Sequence, residues 1–328
     1  MINMEMHLSE ELFAADGLLT KKPMRDGYGE ELALLAKEKQ NIVAVVADLA
    51  DSMRLDVLRR DFPERVIEVG IQEQNMMSLA AGLAMSGKVP TVNSIACFSP
   101  GNNLSQLTVS VCLTKENVKI IGGHAGFGNG VDGANQQAFG DIATTRVLPN
   151  LTVLVPADYE QVKKATRAMI NHFGPVYMRI TKPSREVVTT ELTPFEIGKA
   201  QILQRGRDVT IFACGVGVSM AMRAALELVG AVEVEVVNVH TIKPFDRETV
   251  IRSAKKTGKV ITVEEHSITG GLAGAVAEVL TEEAVSVKMV RIGMEDVFGE
   301  SGEPDELLVK YGIDKERIVN EIKKLVNL

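Results

Sequence analysis

The sequence has no tryptophan and only three cysteines, and aromatic residues make up 4% of its 328 residues. Cys97, Cys112 and Cys214 lie far apart in separate apolar runs and form no CxxC pair, which argues against a disulfide framework and a cysteine-based zinc site. With so few aromatic rings, the hydrophobic cores must consist mainly of alanine, valine, leucine and isoleucine. Cores of this kind are typical of parallel sheets covered by helices.

The sequence also lacks long apolar runs and an excess of basic residues. No run of about 18 apolar residues occurs, so we expect no membrane-spanning segment. The N-terminal sequence MINMEMHLSEELF has neither the basic stretch nor the apolar segment of a signal peptide, and we expect the protein in the cytoplasm. The net charge of −7, without an extended basic face, argues against a nucleic-acid partner.

Apolar strands alternate with helical patterns along the chain, including helices predicted at Tyr159–Asn171 and Lys315–Val326. This alternation predicts an α/β fold with two domains, each a mostly parallel sheet with helices on both faces. A segment with two prolines and no clear periodicity separates the two halves. The predicted divisions are an N-terminal extension at 1–22, a first domain at 23–182, a linker at 183–200 and a second domain at 201–328.

The strand-to-helix turns are where ligands are expected, because ligands bind beyond the carboxyl ends of the strands in open α/β sheets. One such turn, EVGIQEQN at 68–75, places Glu73 at the start of a helix, where the helix dipole favours a carboxylate. Another, GHAGFGNGVDGANQQ at 123–137, contains five glycines that allow a ligand close to the backbone. From spacing alone, Glu73 could be a helix-capping residue and the glycine loop a plain connection.

Several motifs in order along the chain resemble the C-terminal half of transketolase, which some organisms make as a separate subunit. They are MRDGYGEEL at 24–32, ADLADS at 47–52, FPERVIEVGIQEQNMMSLAAGLA at 62–84, the glycine loop at 123–137, LPNLTVLVPAD at 148–158, VNVHTIKPFD at 237–246 and VEEHSITGGLAGAVAE at 263–278. The resemblance implies that 23–182 is a pyrimidine-binding domain and 201–328 a transketolase C-terminal domain.

The resemblance also implies thiamine diphosphate as cofactor, bound between two subunits. In that family the diphosphate is held through Mg²⁺ by a GDG motif with an asparagine further along. This chain has no GDG, and its nearest match, Gly140–Asp141–Ile142, stands in another context. We therefore expect an N-terminal subunit to hold the diphosphate and Mg²⁺, no metal ligand in this chain, and an α2β2 heterotetramer.

Glu73 matches the family's glutamate that hydrogen-bonds N1′ of the aminopyrimidine ring. A buried carboxyl favours its protonated form, and a proton shared with N1′ favours the imino tautomer that activates the thiazolium C2. Phe98 matches an aromatic residue that stacks on the pyrimidine, and Asp48 matches an acid near the thiazolium. Ile95 occupies the place of a second aromatic residue, so part of the pocket wall is aliphatic.

Four residues match the family's sugar-phosphate site: Arg25, Ser52, His124 and Arg179. Guanidinium groups bind phosphate oxygens in pairs, and a hydroxyl and an imidazole add further donors. The resemblance therefore implies a sugar phosphate as substrate. Asp132 matches an aspartate that contacts the hydroxyl on C2 of the sugar.

Gln136 departs from the family pattern. The family's DGPTHQ is DGANQQ here, at 132–137, so that Gln136 replaces a histidine that contacts the donor's C1 hydroxyl or C2 oxygen. An amide can donate a hydrogen bond but does not titrate near neutral pH. We therefore expect a transketolase-type reaction with a non-standard ketose or a different rate profile.

The leading interpretation is a transketolase-type transferase subunit that moves a two-carbon ketol unit from a ketose phosphate to an aldose phosphate. Such a reaction belongs to carbohydrate metabolism, as in the pentose phosphate pathway. A 2-oxo acid dehydrogenase β subunit has the same domain order but leaves the four phosphate-site residues unexplained. A 1-deoxyxylulose-5-phosphate synthase-like enzyme has a similar VGIxEQ turn but is normally one long polypeptide. A scaffold or regulatory subunit would not need Glu73. The C-terminal domain is expected to serve assembly, and His240 and His266 to be structural.

Overall fold

The computed structural model of the chain describes residues 1–14 and 19–328. Residues 15–18, part of the predicted N-terminal extension, lie outside the described residues. No helix in the described part is both long and apolar enough to cross a bilayer. The strands are β1 Lys21–Pro23, β2 Ile42–Val46, β3 Val66–Glu68, β4 Val89–Ile95, β5 Lys119–Gly123, β6 Thr152–Leu154, β7 Val176–Arg179, β8 Ser184–Glu186, β9 Gln201–Gln204, β10 Val209–Ala213, β11 Val234–Asn238, β12 Thr241–Lys243, β13 Lys259–Ser267 and β14 Lys288–Met294. The α-helices are α1 Met24–Glu38, α2 Asp56–Asp61, α3 Glu73–Met85, α4 Leu104–Gln106, α5 Asp141–Arg146, α6 Tyr159–Asn171, α7 Gly217–Glu227, α8 Arg247–Thr257, α9 Leu272–Glu282, α10 Pro304–Lys310 and α11 Lys315–Val326.

The larger sheet has seven strands in the order β12-β6-β7-β5-β4-β2-β3. Strands β2 to β7 pair in parallel. Side chains of β2 alternate between two cores: Ile42, Ala44 and Val46 pack in the cluster that contains α1, and Val45 packs in the cluster that contains Met76 of α3. Helices therefore cover both faces of this sheet, as the period of two along the strand requires.

The second sheet has five strands in the order β14-β13-β10-β11-β9, parallel except for β9. In β10, Ile211 packs with Met222 of α7, whereas Phe212 packs on the other face with Val250 of α8. Phe212 and Val250 belong to the same apolar cluster as Val45 and Met76, so one core joins the two sheets. The predicted α/β class with two mostly parallel, helix-covered sheets is confirmed.

The helices predicted at Tyr159–Asn171 and Lys315–Val326 have the same bounds in the structure. Each begins after an aspartate whose side chain accepts a hydrogen bond from a backbone N–H of the first turn. Asp158 accepts from the Gln161 N–H, and Asp314 from the Arg317 N–H, at 2.9 and 2.7 Å. These side chains satisfy N–H groups that have no partner inside the helix, which explains where both helices begin.

Four short strands were not predicted from the sequence: β1, β8, β9 and β12. Strand β8 lies inside the predicted linker 183–200 and pairs antiparallel with β1. Strand β12 belongs to the predicted second domain, yet it pairs antiparallel with β6 and completes the first sheet. Unlike the equally short β3 and β6, these strands do not lie within longer apolar runs, and their partners are far away in sequence. The predicted domain boundaries remain a prediction.

His240 is buried just before β12. Its ring stacks on Phe195 with 4.3 Å between centroids, and its Nδ1 lies 3.0 Å from Thr241 Oγ1. Burial, followed by the positive charge of Lys164, lowers the pKa of His240 to about 3. The ring is therefore neutral at neutral pH and acts as a packing element.

Replacing His240 by phenylalanine should make the protein less sensitive to acid. Between pH 6.5 and 3 an unfolded histidine binds a proton that the folded one does not, so each pH unit of acidification lowers the free energy of unfolding of the wild type by about 1.4 kcal/mol through this residue. His240→Phe keeps the ring stack and cannot titrate. Urea unfolding of both proteins at pH 8, 6 and 5 measures the difference, and the same acid dependence in both would contradict the prediction.

Candidate functional site

Glu73 is the first residue of α3 and is 6% exposed. Ser94, near the carboxyl end of β4, donates a hydrogen bond from Oγ to Glu73 Oε1 at 3.2 Å. Asn103 Nδ2 donates to the main-chain oxygen of Glu73 at 3.3 Å. The second carboxyl oxygen, Oε2, has no hydrogen-bond partner among the described residues and keeps access to the surface. The turn therefore presents a sheltered carboxyl with one oxygen available to a ligand.

Asp48 follows β2, which lies beside β3 and therefore next to the Glu73 turn, and Phe98 follows β4 on the other side of β2. Asp48 is exposed and has a left-handed backbone, with φ of 57°. The N–H groups of Asp48 and Gly70 both donate to Glu68 Oε1, at 2.8 Å each, so Glu68 ties two of the turns together. Phe98 is half-buried, and its N–H donates to the Ile95 oxygen at 2.9 Å. The three predicted cofactor residues thus share one edge of the sheet.

Three of the four residues predicted to hold the sugar phosphate meet in one cluster. Ser52 Oγ lies 3.0 Å from His124 Nε2, and Arg25 donates from one terminal nitrogen to the main-chain oxygen of Ser52 at 3.0 Å. Burial, together with the positive charges of Lys182 and Arg25, lowers the pKa of His124 to about 3. The imidazole is therefore neutral at neutral pH, when it offers one donor and one acceptor nitrogen. We call Arg25, Ser52 and His124 the anion cluster.

The fourth residue, Arg179, does not join the anion cluster. Its guanidinium is 5% exposed and donates from Nε to Asp141 Oδ2 at 2.9 Å. Another nitrogen donates to the main-chain oxygens of Ala138 and Glu265, at 3.1 and 2.6 Å. A third lies 3.9 Å from Glu265 Oε2. Two of its three nitrogens are thus directed at acceptors inside the protein, and the role of Arg179 in binding phosphate remains a prediction.

Asp132 and Gln136 both lie on the glycine loop, residues 123–137. Asp132 is exposed, and Gln136 is half-buried. Asn129 Nδ2 donates to Gln136 Oε1 at 3.3 Å. The Gln136 NH₂ group has no partner among the described residues, so it is free to donate to a ligand oxygen.

The second domain supports the glycine loop, which the sequence did not indicate. Phe127 donates its N–H to Glu265 Oε1 at 3.0 Å, and Gln137 Nε2 donates to the Glu300 oxygen at 2.9 Å. Gly126 has φ of 62°, and a Cβ there would lie 2.3 Å from Glu265 Cδ, so only glycine allows this approach. The second domain, predicted to serve assembly, thus also holds the loop that carries Asp132 and Gln136.

Sequence reasoning missed several residues of this region: Ser94, Asn129, Lys182 and Glu265. Ser94 and Glu265 are buried polar residues at the carboxyl ends of strands, which is a signal that could have marked them. Lys182 lies three residues after Arg179, close enough to be weighed as a second cation. Across the described ranges, no group of histidine, cysteine, aspartate and glutamate side chains is arranged to hold a metal ion.

Comparison with known proteins gives matches over most of the chain. The family model for the transketolase pyrimidine-binding domain matches residues 20–186, and that for the transketolase C-terminal domain matches residues 198–318. A putative transketolase C-terminal section from Methanocaldococcus jannaschii is 44% identical over 310 residues, which cover 92% of this chain and 97% of that protein. A 6-deoxy-6-sulfo-D-fructose transketolase subunit from a Clostridium species is 40% identical over 297 residues, which cover 90% and 92%.

A solved structure gives the same result at the level of the fold. It is described as a split gene transketolase in an inactive β4 tetramer. The two chains superpose with a TM-score of 0.86 and 41% sequence identity. The match covers 93% of this chain and 99% of the other.

Proposed function

Because the chain belongs to the transketolase family, we propose that it is the C-terminal subunit of a split transketolase. In the proposed reaction, the bond between C2 and C3 of a ketose is cleaved and the two-carbon ketol unit passes to an aldose. The observation that carries this proposal is Glu73, a sheltered carboxyl with one open oxygen at the carboxyl edge of the sheet. A scaffold subunit would have no use for this arrangement.

The residues fit the pyrimidine half of thiamine diphosphate, the cofactor of this family. Glu73 Oε2 is open to accept or share a proton with a ring nitrogen, while Ser94 holds Oε1. Phe98 offers a half-buried ring at the same edge of the sheet, and Asp48 an exposed negative charge. When bound, thiamine diphosphate supplies the nucleophilic carbon that ketol transfer needs. In our proposal Glu73 orients the cofactor and moves the proton at its ring nitrogen.

The anion cluster and the glycine loop bind the sugar in this proposal. Arg25, Ser52 and His124 bind an acidic group at the far end of the sugar chain, and Asp132 and Gln136 contact its hydroxyls. The Clostridium relative is named for a sulfonated ketose, and a sulfonate, like a phosphate, is a tetrahedral anion. We therefore propose ketoses and aldoses that end in a phosphate or a sulfonate. Gln136, an amide in place of the family's histidine, favours a non-standard ketose.

A separate N-terminal subunit completes the site in this proposal. The sequence has no GDG motif, and the residues at 1–14 and 19–328 form no group suited to a metal ion. We propose that the partner holds Mg²⁺ and the diphosphate, and that two copies of each chain assemble as α2β2. The relatives described as a C-terminal section and as a split gene product support such a division.

Reconstitution tests the proposed function. The chain is combined with a transketolase N-terminal subunit from the same genome, thiamine diphosphate and Mg²⁺, and transfer from xylulose 5-phosphate to ribose 5-phosphate is followed. Activity is expected only when both chains are present. A complex that releases CO₂ from pyruvate and transfers no ketol unit would instead indicate a 2-oxo acid dehydrogenase or a 1-deoxyxylulose-5-phosphate synthase-like enzyme.

A further inference from the structure

The positive charges of Arg25 and Lys182 both act on the buried His124, and neither cation forms an ion pair among the described residues. Arg25 makes its hydrogen bond to the main-chain oxygen of Ser52, and Lys182 Nζ lies 3.5 Å from the amide oxygen Oδ1 of Asn129. In the described ranges, no carboxylate lies within 4.0 Å of either cation. Unpaired positive charges that face a half-buried site are uncommon, because a neighbouring carboxylate would stabilise them. Their arrangement leaves the negative charge to be supplied by a ligand.

The glycine loop places Lys182 in this position. A Cβ at Gly128 would lie 2.9 Å from Thr181 Oγ1 and 3.3 Å from the Lys182 nitrogen, so the loop packs directly on this part of the chain. His124 and Asn129, at the two ends of this contact, are 2% and 3% exposed. The His124 Nδ1 atom is buried and has no partner in the described part of the chain. Lys182 is thus held beside a buried ring with unused hydrogen-bonding capacity.

Arg179 is already engaged inside the protein through two of its three guanidinium nitrogens. Its Nε and one terminal nitrogen donate to Asp141, Ala138 and Glu265. Turning it toward the anion cluster would leave the side chains of Asp141 and Glu265, 0% and 1% exposed, without their counter-charge. Leaving two buried carboxylates without a counter-charge destabilises the protein more than one contact with a partly exposed anion stabilises it. Lys182 forms no ion pair among the described residues, so binding an anion would leave no buried carboxylate without its partner.

We propose that Lys182 is a further cation that binds the acidic end of the sugar, together with Arg25, Ser52 and His124, while Arg179 mainly holds Asp141 and Glu265 in place. This rests on the proposed function and deepens it. An ammonium is a compact point charge with three rotatable donors, so it suits a tetrahedral phosphate or sulfonate in several orientations, whereas an arginine fork demands one plane.

Asn129 connects this charge to the substrate-contacting amide. Its Oδ1 faces Lys182, and its Nδ2 donates to Gln136 Oε1 at 3.3 Å. This bond uses the Gln136 oxygen and leaves the Gln136 NH₂ group without a partner among the described residues. The residues that bind the two ends of the sugar are therefore joined by one side chain.

Substrate selectivity tests the proposal in the reconstituted complex. We compare kcat/KM for xylulose 5-phosphate, 6-deoxy-6-sulfofructose and hydroxypyruvate, a donor without a terminal phosphate or sulfonate, with glycolaldehyde as uncharged acceptor. Lys182→Met should lower the ratio of kcat/KM for a donor with a terminal phosphate or sulfonate to that for hydroxypyruvate by about 10–100-fold, mainly through KM. The control Lys163→Met changes another half-buried lysine, which lies over the Tyr159 ring, and should leave the ratio unchanged.

The phosphorylated and the sulfonated donor distinguish the two possible anions, since the donor that loses its selectivity identifies whether phosphate, sulfonate or both contact Lys182. Calorimetric titration of the complex with inorganic phosphate and with methanesulfonate measures binding without turnover. Lys182→Met should raise the Kd of the anion about tenfold or more. An unchanged ratio or unchanged anion binding in Lys182→Met overturns the proposal. A wild-type complex without ketol transfer from any of the three donors would refute the proposed function itself.

Discussion

Replacing Glu73 by glutamine should lower kcat of the reconstituted complex by at least about 100-fold, the contribution expected of a positioned proton-transfer group. Glutamine has the size of glutamate, and its amide oxygen can still accept the Ser94 hydrogen bond. It cannot hold or release a proton at the position of Oε2. Steady-state rates with xylulose 5-phosphate and ribose 5-phosphate measure the effect, and KM should change far less than kcat.

The control for this prediction is a second acid at a helix start. Glu160 lies in the first turn of α6, as Glu73 lies in the first turn of α3. If Glu73 served only the helix dipole, Glu73→Gln and Glu160→Gln would have the same small effect on stability and no effect on rate. Full turnover by the Glu73→Gln complex would favour a scaffold subunit and contradict the proposed function.

Replacing Arg179 by methionine should destabilise the protein by about 3–5 kcal/mol, the usual result of removing one partner of a buried ion pair. Among the described residues, methionine leaves the Asp141 side chain with only the Tyr177 hydroxyl as donor, at 2.7 Å, and leaves Glu265 with the Phe127 N–H. It also removes the hydrogen bonds that join β7 to the Ala138 end of the glycine loop and to β13. The urea midpoint of the isolated chain, with circular dichroism as the signal, measures the loss.

Two further variants serve as controls for the Arg179→Met result. Arg207 is paired with Glu233 at the surface, and Arg207→Met should change the midpoint little, because water already solvates that pair. Arg179→Lys keeps the charge but cannot reproduce the guanidinium fork, so we expect an intermediate midpoint. A stable Arg179→Met protein with a raised KM for phosphorylated sugars would contradict this prediction and indicate that Arg179 binds the phosphate.

The alternation of apolar strands and helices was enough to predict the fold class. Helices such as Tyr159–Asn171 were located from periodicity because their capping aspartates and apolar faces are local signals. The strands β1, β8, β9 and β12 were missed, since each has three or four residues and gains its structure from a partner far along the chain. Strand β12 shows this best, because the structure pairs it with the sheet of the other predicted domain.

The candidate site also combines features that the sequence predicted with features that only the structure shows. The turns that carry Asp48, Glu73 and Phe98 follow from the parallel sheet, and the sequence motifs single out the same residues. The contact between Ser52 and His124 joins residues 72 positions apart; the family resemblance placed both in one site, but no local pattern in either segment specifies the contact. The second domain's support of the glycine loop through Glu265 was also absent from the prediction.

By itself, the sequence determined the family resemblance, the α/β layering and the turns where ligands are expected, because these depend on local patterns and on motifs read in order. Only the tertiary structure decided that Arg179 faces Asp141 and Glu265 while Lys182 stands unpaired beside His124. The physical reason is that a cation's partner is whichever acceptor the fold brings within a few ångströms. Chain order does not record that distance.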